Sequence, residues 1–222
     1  MPTNKKSRTL LCLGPPHSGK SVFCYILFKF LRQLENDACV MDGDYYSPTY
    51  RRLRVNEFAD PDEQGCVYTT PNAKKLEKLT EENFRNIAHS IHALIENEGV
   101  IVVDGLGRHS SSTESLLQLA EILIVLCPIR FDIEHGSEEC SYIQDGRAIH
   151  PFAFYRNRCQ KLIKITTHYH GDKTAYFDEN RLEGELYDLD RDVIKKGNID
   201  KIPMQTRDTI LRIAEFILAN WV

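Results

Sequence analysis

One short stretch limits what this chain can fold into more than any other. Thr9-Leu10-Leu11-Cys12-Leu13 is a run of strand-forming character, and Gly14-Pro15-Pro16-His17-Ser18-Gly19-Lys20-Ser21 follows it at once. Behind it Val22, Phe23, Ile26, Leu27, Phe30, Leu31 and Leu34 fall on one stripe of a helix. An apolar strand turning sharply into an amphipathic helix is the opening of a sheet with helices packed on it. The turn itself suits an anion. Pro15 and Pro16 have no N–H, but His17, Ser18, Gly19, Lys20 and Ser21 offer successive backbone amides that can curl round a phosphate. Gly19 has no Cβ, so the chain can approach closely there. The positive end of the following helix points at the same place.

Gly14, Gly19, Lys20 and Ser21 complete the pattern G-x-x-x-x-G-K-S. In that pattern Lys20 reaches the β- and γ-phosphates and the Ser21 hydroxyl ligates magnesium. At these residues the chain resembles the P-loop nucleoside-triphosphatase superfamily. The resemblance implies ATP and Mg2+ as cofactors, with Gly14, His17, Ser18, Gly19, Lys20 and Ser21 as the nucleotide-binding set. A plain glycine-containing turn between strand and helix is the bland alternative.

The remaining pattern agrees with such a fold. A helix is expected from about Gly19 to Leu34, and a second strand over Ala38–Met41. Residues 45–79 read as loops, being rich in Pro, Asp and Asn. Thr80 is a candidate cap for a helix carrying Phe84, Ile87, Ile91, Leu94 and Ile95 and ending near Gly99. Val100–Asp104, Ile122–Leu126 and Leu162–Thr167 read as further strands, with a short helix near Ser115–Ala120. A last helix is expected over Thr206–Trp221, with Ile210, Ile213, Ala214, Ile217, Leu218 and Trp221 on one face. Apolar strands alternating with helices give an α/β fold, mostly parallel, with helices on both faces, and the resemblance implies that this is a three-layer P-loop NTPase sheet. Length suits one domain over residues 1–222, which the resemblance implies is a single P-loop NTPase domain, with room for a lid or insertion within 130–200.

Composition narrows the partners. A formal net charge of −4 argues against nucleic acid as the main partner, because such binding needs a basic surface. Seven cysteines without a C-x-x-C pair, several within apolar runs, suit reduced thiols in a cytoplasmic protein. No apolar stretch is long enough to span a membrane, so no membrane partner is expected.

Three further places could carry chemistry. Val100-Ile101-Val102-Val103 closes on Asp104, a carboxylate at a strand end that can hold magnesium beside Ser21. Asp104-Gly105-Leu106-Gly107 also fits D-x-x-G, but the guanine-reading N-K-x-D is absent, which removes a GTPase reading. Arg108 follows, either to stabilise transferred phosphoryl charge or as a solvated loop residue. Asp42-Gly43-Asp44 ends the second strand. That placement resembles P-loop small-molecule and nucleotide kinases, which set an acidic residue there to orient an acceptor hydroxyl; either Asp42 or Asp44 could serve.

The expected activity is therefore an ATP- and magnesium-dependent phosphotransferase acting on a nucleoside, nucleotide or other hydroxyl compound. Its catalytic set is Lys20, Asp42, Asp44 and Arg108, its metal set Ser21 and Asp104, and its partners ATP and a small-molecule or nucleotide acceptor. An ATPase switch coupled to a partner, and a nucleotide sensor with little turnover, are the alternatives. Assembly of several copies of the chain is left open. Gly-Pro-Pro-His-Ser-Gly-Lys-Ser-Val-Phe, the Asp-Gly turn and Val-Asp-Gly-Leu-Gly-Arg are also similar to the P-loop domain fused to CRISPR-associated ring nucleases. The similarity spans roughly the first 130 residues and leaves too little chain for the fused nuclease.

Overall fold

The computed structural model describes residues 8–35, 37–43, 49–53, 66–68, 99–105, 107, 113, 116–118, 120–128, 130–132, 137–139, 142–144, 147–149, 161–169, 181–183, 186–189 and 191–219. The strands are β1 (Arg8–Leu13), β2 (Ala38–Asp42), β3 (Val67–Tyr68), β4 (Val100–Asp104), β5 (Ile122–Pro128), β6 (Arg130–Asp132), β7 (Ser137–Glu139), β8 (Tyr142–Gln144), β9 (Arg147–Ile149), β10 (Lys161–Tyr169) and β11 (Arg181–Glu183). The α-helices are α1 (Lys20–Glu35), α2 (Thr49–Arg52) and α3 (Met204–Ala219).

Seven strands form one sheet in the order β11-β10-β5-β1-β4-β2-β3, and every neighbouring pair in it is parallel. A parallel sheet must be covered on both faces, which is why β1, β4 and β5 are nearly unbroken apolar runs. Side chains alternate between the faces. Leu10, Cys12, Val40, Val100, Val102, Ile122, Ile124 and Leu126 pack with Phe23, Ile26, Leu27 and Leu31 of α1 and Ile210, Ala214 and Ile217 of α3. Leu11, Leu13, Cys39, Ile101, Val103, Leu123 and Val125 pack on the opposite face with Leu116 and Leu117, which are helical. Each such buried Leu, Ile, Val or Phe contributes about 1.5–3 kcal/mol. The α/β arrangement with helical cover on both faces is thus the one expected.

Some boundaries and segments differ from expectation. α3 runs Met204–Ala219, starting before the expected Thr206 and immediately after Pro203, whose fixed φ is tolerated at a helix entrance; the expected end at Trp221 lies outside the described residues. Residues 171–205, which show no period in sequence, contain β11, turns of tight helix at Leu186–Leu189 and Ile199–Lys201, and a wide helical turn at Arg191–Lys195. Single apolar residues pin these pieces to the core: Leu186, Val193, Ile194 and Ile202 are all buried. Within 130–149 the chain forms two antiparallel hairpins, β6–β7 and β8–β9, outside the main sheet. The helix expected behind Thr80 lies outside the described residues. The described cysteines 12, 24, 39, 66 and 127 are all free thiols. Among the described residues no helix is long and apolar enough to cross a membrane.

The strand order decides where chemistry can occur. β4 lies between β1 and β2, with Cys12 opposite Asp104 in one register and Asp42 opposite Asp104 in the other. The carboxyl ends of three strands therefore stand side by side, as ligand sites of open α/β sheets do.

Candidate nucleotide site

The turn after β1 has the shape that its residues dictate. Ser18 N–H donates to the Pro15 carbonyl at 3.3 Å, and Phe23 N–H closes on the Gly19 carbonyl at 2.9 Å, starting the helix. Gly19 sits at φ +79, and His17 at φ +63. The left-handed region is open to Gly19 but costs a histidine roughly 1 kcal/mol. Successive left-handed and right-handed residues turn consecutive amides toward one point. Gly14 permits close packing. A Cβ there would lie 2.9 Å from the Leu126 carbonyl and 3.0 Å from Ser18 Oγ.

Alternation along the strands sets the charges. Val100 and Val102 face α1, so Asp104 does too, and the same parity brings Asp42 to that face. Lys20, the first residue of α1, meets it: its Nζ stands 3.1 Å from Asp104 Oδ1, with side chains 10% and 2% exposed. The contact is an ion pair without hydrogen-bond alignment. Asp104 Oδ1 and the buried Ser18 Oγ have no hydrogen-bond partner among the described residues. Lys20 is also oddly placed for a helix, because a cation in the first turn opposes the macrodipole. No acidic residue occupies that first turn. A phosphate there would answer both the lysine and the helix end.

Ser21, expected on the metal side, donates its hydroxyl to Thr49 Oγ1 at 3.1 Å. Tyr50 is completely buried. Its phenol donates to the Ser21 carbonyl at 3.1 Å, and its backbone N–H donates to Asp42 Oδ1 at 3.3 Å. Burial, with Asp104, Cys24, Asp42 and Cys12 adding to it, pushes the Tyr50 phenol well above its ordinary 10.0, so it remains a donor. Burial likewise raises the Cys24 thiol, helped by its hydrogen bond with Cys12, so the Cys24 thiol stays protonated.

Thus Lys20, Ser21, Asp104 and Asp42 come together at one sheet edge, with Gly14, His17, Ser18 and Gly19 forming the turn beside them. Asp44 and Arg108 lie outside the described residues. Thr49 and Tyr50 were not foreseen. They sit 28 and 29 residues from Ser21, in a stretch without apolar period, and no local pattern points to them.

No protein-family profile and no curated protein matches the sequence. Solved structures do. The MinD cell division protein of Aquifex aeolicus is 11% identical, with a TM-score of 0.61 over 97% of this chain and 99% of that one. The same protein has been solved in a MinC:MinD complex, at TM-score 0.59 and 11% identity over 97% of each chain. The septum site-determining protein MinD of Pyrococcus horikoshii, complexed with Mg-ADP, is 14% identical at TM-score 0.59, covering 96% of this chain and 98% of its own. A ParA family ATPase from Chlorobium tepidum is 12% identical at TM-score 0.55, covering 96% and 99%. These likenesses establish the P-loop NTPase fold.

They also correct the expectation of a phosphotransferase. The solved structures named here are MinD proteins and a ParA family ATPase, and none of them is a kinase. Asp42, expected to receive an acceptor hydroxyl, is fully buried and accepts from the Tyr50 N–H instead. The kinase reading is withdrawn, and with it the small-molecule or nucleotide acceptor.

Proposed function

We propose that this chain is an ATP- and magnesium-dependent ATPase whose nucleotide state is coupled to a protein partner. The observation that carries the reading is the facing pair of Lys20 and Asp104 at 3.1 Å, nearly out of solvent at the mouth of the anion-shaped turn. A metal–triphosphate group would come between them, offering an anion to the ammonium and a cation to the carboxylate in exchange for their own pairing. Ser18 Oγ and Asp104 Oδ1, buried without hydrogen-bond partners, are groups that such a ligand would satisfy. In this reading the amides of residues 17–21 and Lys20 hold the phosphates, while Ser21 and Asp104 hold the metal. Bound magnesium would neutralise charge on the β- and γ-phosphates.

Coupling to a partner rests on two supports. One neighbour of the same fold has been solved with a protein partner, as MinC:MinD. In this chain, residues 49–53 touch Ser21 and Asp42 together, so a change at the metal side is felt by a second segment. The similarity to the P-loop domain of ring-nuclease fusions bears on the nucleotide site alone.

The test is ADP release from ATP and magnesium without any added acceptor. Release that disappears in Lys20→Ala is the expected result. Release that persists unchanged in Lys20→Ala would overturn the site. Tight binding with no release would make the chain a nucleotide sensor rather than an ATPase.

A further inference from the structure

Ser21 has a single hydroxyl proton and two lone pairs. If a lone pair is to face a cation, the proton must go elsewhere, and metal ligation makes that proton a stronger donor. The structure contains an acceptor for it. Ser21 Oγ stands 3.1 Å from Thr49 Oγ1 and donates to it. We infer that Thr49 is a positioning residue for the divalent cation: it accepts the hydrogen bond of the Ser21 hydroxyl and so turns a Ser21 lone pair toward the metal, without ligating the metal itself. This rests on the ATP–magnesium reading and adds to it the residue that orients the metal ligand.

Thr49 is held for that role from several sides. The Leu53 N–H closes on the Thr49 carbonyl at 2.9 Å, fixing the turn that begins with Thr49. The next residue, Tyr50, bonds to the two elements that flank the site. Its phenol donates to the carbonyl of Ser21 on α1, and its N–H donates to Asp42 at the end of β2. Its ring also lies 6.2 Å from that of Tyr25 on α1, centroid to centroid. The hydroxyl of Ser21 and the carbonyl of Ser21 are thus both engaged by consecutive residues of one segment. A purely structural tie between the segment and α1 needs only the Tyr50 bond. The second bond falls on the group expected to meet the metal.

The experiment measures ADP binding by calorimetry on the full chain, once with excess magnesium and once with EDTA. Three proteins are compared: wild type, Thr49→Val and Thr49→Ser. Valine keeps the branched shape and removes the acceptor; serine restores it. Loss of one hydrogen bond of this kind predicts that Thr49→Val weakens magnesium-dependent binding by about tenfold. Metal-free ADP binding stays at the wild-type level, and Thr49→Ser recovers the magnesium response. A Thr49→Val protein with the wild-type magnesium response overturns the inference. So does an equal loss with and without metal, because that marks a structural role alone. Wild-type protein that binds ADP in neither condition defeats the nucleotide reading itself, and this inference with it.

Discussion

Asp42 and Asp104 are register partners on adjacent parallel strands, both pointing to the face that α1 covers, and both essentially without solvent contact. Two carboxylates so close together are costly unless each has its own answer. They have different ones. Asp104 meets the Lys20 ammonium. Asp42 accepts the backbone N–H of Tyr50. One carboxylate faces Lys20 at the end of the turn after β1, and the other fastens the segment beside it.

That division predicts different phenotypes. Asp104→Asn keeps the shape and removes the charge, and magnesium-dependent ATP hydrolysis should fall by roughly 100-fold or more. Asp42→Ala leaves the Tyr50 N–H buried without an acceptor, and should cost about 1–3 kcal/mol of stability. Hydrolysis assays and urea unfolding of both proteins check the pair. Full hydrolysis in Asp104→Asn would remove that residue from the metal site.

The buried phenol of Tyr50 predicts a pH dependence. Its pKa is raised above the ordinary 10.0, chiefly by burial, so the folded chain holds the proton more tightly than the unfolded chain. Above the unfolded value the native state binds more protons, and stability must fall as pH rises. The contribution is complete below about pH 10 and is lost at up to about 1.4 kcal/mol per pH unit above it. Cys24, raised above 9.0 mainly by burial, acts in the same direction from a lower starting point. Tyr50→Phe should therefore be less stable than wild type at neutral pH by about 1 kcal/mol, for the lost bond to Ser21. It should also lose less on going to alkaline pH. Unfolding curves measured from about pH 8 to pH 11 check this, and equal slopes for the two proteins would contradict it.

Gly105 follows Asp104 at a place where the chain passes against β1. Its N–H donates to the Cys12 carbonyl at 2.9 Å. A Cβ there would lie 2.7 Å from that carbonyl and 2.5 Å from Leu13 Cδ2. The leucine can shift, but the carbonyl is part of the strand and is held by the bond itself. Gly105→Ala should destabilise the protein by about 1–3 kcal/mol, read as a lower Tm. Gly197→Ala is the comparison, since φ is +66 there and nothing stands within 4 Å of the added carbon. It should cost only the left-handed strain, about 1 kcal/mol.

The parts of this molecule that are legible in the sequence are those whose cause is local. β1, β4 and β5 announce themselves as apolar runs because a parallel sheet buries both faces of a strand. The turn from Gly14 to Ser21 is legible because its left-handed backbone and close packing call for glycine at neighbouring positions, Gly14 and Gly19. Asp104 is legible as the carboxylate that ends a buried strand. Thr49 and Tyr50 are not, since their partners lie across the fold and nothing in Thr-Tyr-Arg-Arg records them. Asp42 shows a third case. Its position at a strand end was plain, but its role depended on which group would reach it, and a carboxylate in a turn-like Asp-Gly-Asp carries no mark of being buried. Likewise β3 and β11, of two and three residues, are too short for a period to show.

The insertion of β4 between β1 and β2 has a consequence for how the chain matures. A ribosome that has delivered residues 1–99 has made β1, but neither of the strands that β1 pairs with, since β4 begins at Val100 and β5 at Ile122. The turn that follows β1 is therefore made well before the strands that wall it. Until that insertion happens, the apolar edges of β1 and β2 have no native neighbour in common, and this interval is when the nascent protein is most exposed to wrong pairing.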